Sequence, residues 1–386
     1  MTNQTATTSL PPDLLRFERS KLDEVAHQID PTRSVEEVLT AHAPGILRYL
    51  RTEAAEMERL RMEVKHPTAP LRAFTPESSR SPYREEPARI TLDRIIVVSK
   101  QSKLEWDQQH LGVSRADLLE HYRREGINGE AIVQSHERQQ QALRVVSSYL
   151  QPNQIVTRDQ ITPELAAKAE LVIAIGGDNH LQYVSHFVRD GFFFGINSDP
   201  LKSEGALMQH AASDFPRLLS LFERGEFEVE EWTRLEAQVN GKPLPLSVCD
   251  LFFGEAERQY MSRYIVNLNG QHEEQKSSGL LVATGSGSSG WYDSAGRFLN
   301  AAGDRFPRTA PEARFLITEP YQGRLNGSAL LTGVLRPGDV LEVRSLNDSR
   351  GLAVSDSLDS LPFGRGAIAQ VKISACPLKV LRPRAP

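Results

Sequence analysis

Leu171-Val172-Ile173-Ala174-Ile175-Gly176-Gly177-Asp178-Asn179-His180 is the stretch that decides the fold. Five apolar residues without polar alternation, halted by two glycines, read as a strand buried on both faces, which is the pattern of a parallel sheet. Such a strand delivers Asp178 to the carboxyl edge of the sheet, where open α/β folds bind ligands. Working outward, Ile95-Ile96-Val97-Val98 and Phe192 to Ile196 are further runs of the same kind, and Arg115–Glu125, Glu137–Leu150 and Leu181–Arg189 have helical composition. Strand and helix alternate, so this part is expected to be an α/β domain with a parallel sheet.

The two glycines and the acid allow two readings. Without Cβ atoms, Gly176 and Gly177 let backbone N–H groups approach a phosphate, and a helix starting near Leu181 turns its positive end to the same place. Asp178 beside a polyphosphate can orient Mg²⁺ or accept a proton from an attacking hydroxyl. The alternative is a tight strand-to-helix turn in which Asp178 is only the N-cap.

From about residue 226 the pattern changes to short extended runs, including Glu236–Val239, Tyr264–Leu268, Leu280–Ala283, Arg314–Thr318, Val340–Val343 and Val371–Ile373. Asn240-Gly241 and Asn269-Gly270 follow two of them, a strong hairpin signal. This region is expected to be mostly β. Within it, Thr284-Gly285-Ser286-Gly287-Ser288-Ser289-Gly290-Trp291 offers glycines, hydroxyls and an indole, a set suited to phosphate, ribose and a flat ring. A structural serine-glycine turn is the bland alternative. Gly285-x-Gly287-x-x-Gly290 also matches the dinucleotide fingerprint formally, but it lacks the βαβ setting and the acid about 20 residues downstream.

At the other end, Pro67, Pro70, Pro76, Pro82 and Pro87 mark a linker. Ile46, Leu47, Leu50, Ala54, Met57, Leu60 and Val64 recur at helical spacing before it; that stripe needs cover from its own chain or from a second copy. The expected organisation is a helical extension (1–66), a linker (67–90), an α/β nucleotide-binding domain (91–225) and a β-rich substrate-binding domain (226–386).

The 386 residues are 39% apolar and 25% charged, which is ordinary for a globular protein and excludes global disorder. A formal net charge of −5 leaves no overall cationic surface for nucleic acid. No apolar run approaches the ~20 residues that span a bilayer. Cys249 and Cys376 are too few for a disulfide framework or a thiolate zinc site. With no secretory or transit signal in the opening residues, the expected location is cytoplasmic. A P-loop, HExxH and a nucleophile-elbow serine are all absent.

Together these segments resemble the NAD kinase family, specifically its divergent mitochondrial branch. Ala174-Ile175-Gly176-Gly177-Asp178-Asn179 is similar to the GGDG motif, and Gly195-Ile196-Asn197-Ser198-Asp199-Pro200-Leu201-Lys202-Ser203-Glu204-Gly205 to the branch's GVNTDPxxSEG run. Phe253-Gly254-Glu255, Met261–Tyr264, Gln275–Leu280 and Thr284–Trp291 follow in the same order, so the likeness runs from about residue 93 to 382.

The resemblance implies an α/β domain with a C-terminal β-sandwich, and transfer of the γ-phosphoryl of ATP to the adenosine-ribose 2′-hydroxyl of NAD, in a homodimer or higher homo-oligomer. Mg²⁺ would come with ATP. By the same carry-over Asp178 acts on the hydroxyl; Gly176, Gly177 and Asn179 cradle phosphate; Asn197 belongs to the site; Thr284, Ser286, Gly287, Ser288 and Ser289 hold phosphate and ribose oxygens; and Trp291 packs on the dinucleotide. Cys249-Asp250 stands where the family's Asn-Glu pair grips NAD, and Asn179-His180 where most members have Gly-Thr. The first change raises a same-fold kinase with another acceptor as an alternative; the second raises a catalytically silent NAD(P)-binding regulator. Val354-Ser355-Asp356 resembles the family's late Asp-Gly segment.

Overall fold

The computed structural model describes residues 33–65, 89–208, 210–297, 305–321, 323 and 329–384, so residues 67–88 of the expected linker lie outside the described residues. The described chain forms two compact units, divided between residues 73 and 74. The first holds α1 (Val35–His42) and α2 (Pro44–Lys65). Ser34 opens α1 with a capping box to Glu37, and α2 is the amphipathic helix expected from the Ile46–Val64 stripe.

The second unit runs in chain order through β1 (Ile95–Ser99), α3 (Lys103–Leu111), α4 (Arg115–Arg124), α5 (Gly129–Ser147), β2 (Ile155–Thr157), α6 (Pro163–Lys168), β3 (Leu171–Gly176), α7 (Asp178–Ser185), β4 (Phe192–Asn197), β5 (His210–Ala211) and α8 (Phe215–Glu223). It continues with β6 (Phe227–Trp232), β7 (Leu235–Val239), β8 (Lys242–Pro243), β9 (Asp250–Glu255), β10 (Ser262–Leu268), β11 (Gln271–Ser277), β12 (Gly279–Ala283), α9 (Trp291–Gly296) and β13 (Ala313–Thr318). The last strands are β14 (Thr332–Leu335), β15 (Leu341–Ser345), β16 (Gly351–Ser355), β17 (Asp359–Pro362), β18 (Ile368–Ile373) and β19 (Leu378–Pro383).

The first sheet has the order β2-β1-β3-β4-β19-β6, with β5 beside β4. Pairing is parallel from β2 to β19, and β6 closes the edge antiparallel. Alternate residues of β1 and β3 serve different cores: Ile95, Val97, Leu171 and Ile173 meet α5 and α8, while Ile96, Val98, Val172 and Ala174 meet α7. That double burial is why these strands are continuous apolar runs. Two strands of this sheet, β6 and β19, come from the part expected to be a separate β-rich domain.

The remaining strands form two antiparallel six-stranded sheets, β11-β10-β15-β18-β7-β8 and β14-β13-β12-β9-β16-β17. One apolar core joins them: Leu235, Tyr264, Val266, Leu341 and Val343 from the first, and Leu251, Phe253, Leu280, Val282 and Phe315 from the second. This is the expected sandwich. Both Asn-Gly hairpins form, with φ of 50° and 81° at Asn240-Gly241 and 52° and 83° at Asn269-Gly270. One helix start differs from expectation. α7 begins at Asp178 rather than near Leu181, and its N-cap is Gly177, not Asp178.

Candidate active site

Parallel register aligns the carboxyl ends of three strands. Ser99 pairs with Ile175 and Gly176 with Asn197, so Lys100, the Gly176-Gly177-Asp178 turn and Asn197-Ser198-Asp199 emerge side by side. They line a cleft of about 400 Å³, together with Asn179 and Lys202. Crowding explains Gly176, where a Cβ would stand 2.9 Å from His180 Cδ2; at Gly177 a Cβ would press on Ser203 Oγ at 3.3 Å, a tight contact that a small shift of the serine relieves.

Asp178 is the first residue of α7, and its carboxylate accepts the backbone N–H groups of Ala206 (2.9 Å) and Leu207 (3.0 Å). The loop after β4 is thereby closed onto the turn. Asn197 shapes the same loop from within: its Nδ2 donates to Ser203 O at 3.1 Å, and its Oδ1 accepts from Asp199 N at 3.1 Å. Gly205, at φ 62°, lies so close to Asn197 Nδ2 and Met208 O that any side chain would collide.

The two unusual residues after Asp178 separate. Asn179 is exposed on the cleft, whereas His180 is buried, with Nε2 2.9 Å from Val98 O at the end of β1. Burial pushes the His180 pKa down to about 4, so its ring is neutral at neutral pH. His180 thus pins α7 to β1 and adds no side chain at the cleft.

The serine-glycine turn forms a second cluster. Thr284 is fully buried; its hydroxyl donates to Val248 O (2.6 Å) and accepts from Ser286 N (3.1 Å). Ser288 Oγ donates to Gly285 O (2.8 Å) and accepts from Phe306 N (3.3 Å). These two hydroxyls are engaged in holding the turn. Ser286 Oγ is buried with no partner among the described residues, Ser289 is exposed, and the half-exposed Trp291 stacks on Phe252 with ring centroids 5.0 Å apart. Gly287 passes so near Cys249 that a Cβ would lie 2.3 Å from its carbonyl oxygen, and Thr284 N donates to the same oxygen at 2.9 Å.

Cys249 and Asp250 therefore sit against this turn, and a buried carboxylate fixes their backbone. Asp356 accepts from Ser247 Oγ (2.6 Å) and from the N–H groups of Val248 (3.0 Å), Cys249 (2.9 Å) and Asp250 (3.0 Å). His186 of the helix-end segment after α7 completes the network, with Nε2 2.9 Å from Asp356 and Nδ1 3.0 Å from Asp359. Burial, then the Asp356 charge, raises the Asp250 pKa to about 7. Burial likewise pushes the Cys249 thiol well up, and Cys249 shares one apolar cluster with Leu181 and Val184 of α7.

That contact brings the two clusters together, and Arg308 adds another: its guanidinium donates to Ala206 O and lies 4.7 Å from the Trp232 ring centroid. Desolvation lowers the Arg308 pKa, opposed in part by Glu230, Cys249 and Asp178. Sequence reading did not single out Lys100, Arg308 or His186 as functional. Lys100 had a usable signal, since it directly follows a buried parallel strand at the ligand edge. Arg308 and His186 are assembled by long-range contacts that no local spacing encodes.

A parallel sheet whose strand ends cradle a glycine-glycine-aspartate turn, joined to an antiparallel sandwich, is an open α/β architecture with its ligand cleft at the carboxyl edge of the sheet. No family model matches the chain. It is 27% identical over 244 residues to a probable NADH kinase of Oryza sativa subsp. japonica, covering 55% of this chain and 71% of that one. It is 25% identical over 250 residues to the mitochondrial NAD kinase 2 of Homo sapiens (51% and 57% covered), so it spans under two thirds of that relative's length. Over 149 residues it is 31% identical to an NAD kinase of Burkholderia cenocepacia strain HI2424, with 36% and 49% covered. The crystal structure of an NAD kinase from Archaeoglobus fulgidus in complex with ATP superposes with a TM-score of 0.50 at 17% identity, over 75% of this chain and 94% of that one. The chain is thus related to the NAD kinases and has their fold, as the motifs suggested.

Proposed function

We propose that the chain is an NAD kinase, transferring the γ-phosphoryl of ATP to the adenosine-ribose 2′-hydroxyl of NAD to give NADP. The observation that carries this reading is Asp178, a carboxylate fixed by two backbone amides at the edge of a cleft lined by the bare backbone of Gly176 and Gly177. Each Asp178 oxygen retains a lone pair for a substrate hydroxyl. Because a loose phosphoryl-transfer transition state asks more for alignment than for a strong base, Asp178 serves to orient the 2′-hydroxyl.

Gly176, Gly177 and Asn179 cradle phosphate at the start of α7. The free hydroxyls of Ser286 and Ser289 reach ribose or phosphate oxygens, while Thr284, Gly287, Ser288 and Asn197 keep the two loops in shape. Cys249 and Asp250 form the wall of the acceptor site, and Trp291 offers its indole to the dinucleotide. Asp178 and Asp199 both have protein donors on their carboxylates, which favours Mg²⁺ entering as part of the MgATP substrate. Two free cysteines support the cytoplasmic location, and among the described residues no helix is long and apolar enough to cross a membrane. A homodimer or higher oligomer remains our assignment for the assembly, with neither nucleic acid nor membrane as partner.

The test pairs NAD and NADH with MgATP and with polyphosphate, following formation of the 2′-phosphorylated product. Product from NAD and MgATP supports the proposal; no product with any pair sinks it, and product only from another acceptor replaces it by the same-fold alternative.

A further inference from the structure

We propose that Lys100 and Lys202 bind the phosphate chain of the phosphoryl donor and are the two cations this site sets against it, an assignment that rests on the phosphotransfer reading. Both line the cleft that holds Gly176, Gly177 and Asp178. They arrive from different elements: Lys100 follows β1, and Lys202 stands in the turn after β4. Neither ammonium makes a hydrogen bond or an ion pair among the described residues.

The third lysine on the cleft, Lys103, is engaged, at 2.7 Å from Asp107. More telling is the acid beside the pair. Asp199 lines the cleft and could neutralise them, but its carboxylate takes Arg138 Nε at 2.6 Å, Arg138 Nη2 at 3.2 Å and Ser135 Oγ at 2.6 Å. Arg138 thereby takes the hydrogen-bonding capacity of Asp199 and leaves it to the lysines only as a weaker, non-contacting counter-charge. The walls of the cleft first, then Lys202 and Arg158, lower the Lys100 pKa, opposed in part by Asp199, and the Lys100 residue is exposed to solvent. Like charges held together in a partly desolvated cleft are costly until a polyanion enters, which is the design of a phosphate clamp.

Steady-state kinetics of Lys100→Ala, Lys202→Ala, Lys202→Arg and Arg138→Met test this, with calorimetric titration by a non-hydrolysable MgATP analogue. Each Ala variant is expected to raise the MgATP KM about tenfold or more while the NAD KM stays within about twofold, and Lys202→Arg to restore most of the loss. Arg138→Met, which frees Asp199 to pair with the lysines, is expected to weaken MgATP as well. An unchanged MgATP KM in both Ala variants, or a change confined to NAD, overturns the proposal. If the parent protein makes no NADP, the calorimetry still decides: weaker analogue binding by the Ala variants upholds the lysine assignment and revises the reaction, whereas equal binding overturns the assignment itself.

Discussion

Asp250→Asn separates the charge of the acceptor-side loop from its packing. In the folded chain burial, aided by Asp356, raises the Asp250 pKa from an ordinary 3.8 to about 7. The folded state therefore holds this proton more tightly than the unfolded chain does. Stability gained from protonation is complete below about pH 4, and is lost as pH rises towards and through about 7. At ~1.4 kcal/mol per unit, a shift of about three units amounts to roughly 4 kcal/mol, an upper bound because the loop can relax or admit water around the charge. Asn matches the protonated acid in shape and cannot ionise, so it escapes the loss. Urea unfolding of parent and variant at about pH 5 and pH 8 measures the effect, since other titrating groups cancel in the difference. The variant's advantage is expected to widen by roughly 2–3 kcal/mol between the two conditions. A gap that stays constant refutes the burial of an ionisable Asp250, and one that narrows reverses the sign of the argument.

Three further substitutions bear on this loop, on the turn packed against it and on a distant hairpin. Asp356→Ala leaves three backbone N–H groups without their acceptor, while Ser247 Oγ keeps Asp250 O, so urea unfolding should show a loss of about 3–5 kcal/mol, and less than about 1 kcal/mol would mean that water replaces the carboxylate at no cost. Gly287→Ala puts a methyl 2.3 Å from the Cys249 carbonyl oxygen; it is expected to cost about 1–3 kcal/mol and to raise the NAD KM, and unchanged stability and KM would show that the turn yields freely. Gly270→Ala, at φ 83°, should cost about 1 kcal/mol without touching kinetics, and serves as the control for strain remote from the site.

The parallel sheet was legible because double burial makes its strands continuous apolar runs, and the hairpins because Asn-Gly supplies two positive-φ residues in a row. The inner strand β19 was not: Leu378–Pro383 carries Lys379 and Arg382, ends in a proline, and enters the first sheet between β4 and β6 only through the return of the chain. At the site, Gly176, Gly177 and Asp178 were readable since local chain geometry makes the turn. What sequence could not reveal is how hydroxyls are spent. Thr284 and Ser288 look the same in a sequence as Ser286 and Ser289, yet the first two are engaged by the turn itself and the last two are not. Nor could it show that His180 turns inward to Val98 while Asn179 faces the cleft, so that only one of these two residues places a side chain there.

The central claim is most directly tested by mixing the purified chain with NAD and MgATP and measuring NADP by enzymatic cycling, alongside Asp178→Asn. ATP- and Mg²⁺-dependent NADP from the parent, falling at least about a hundredfold in the variant while MgATP-analogue binding is retained, is the expected result. NADP formation that survives Asp178→Asn, or none from the parent beside intact NAD binding, would contradict it.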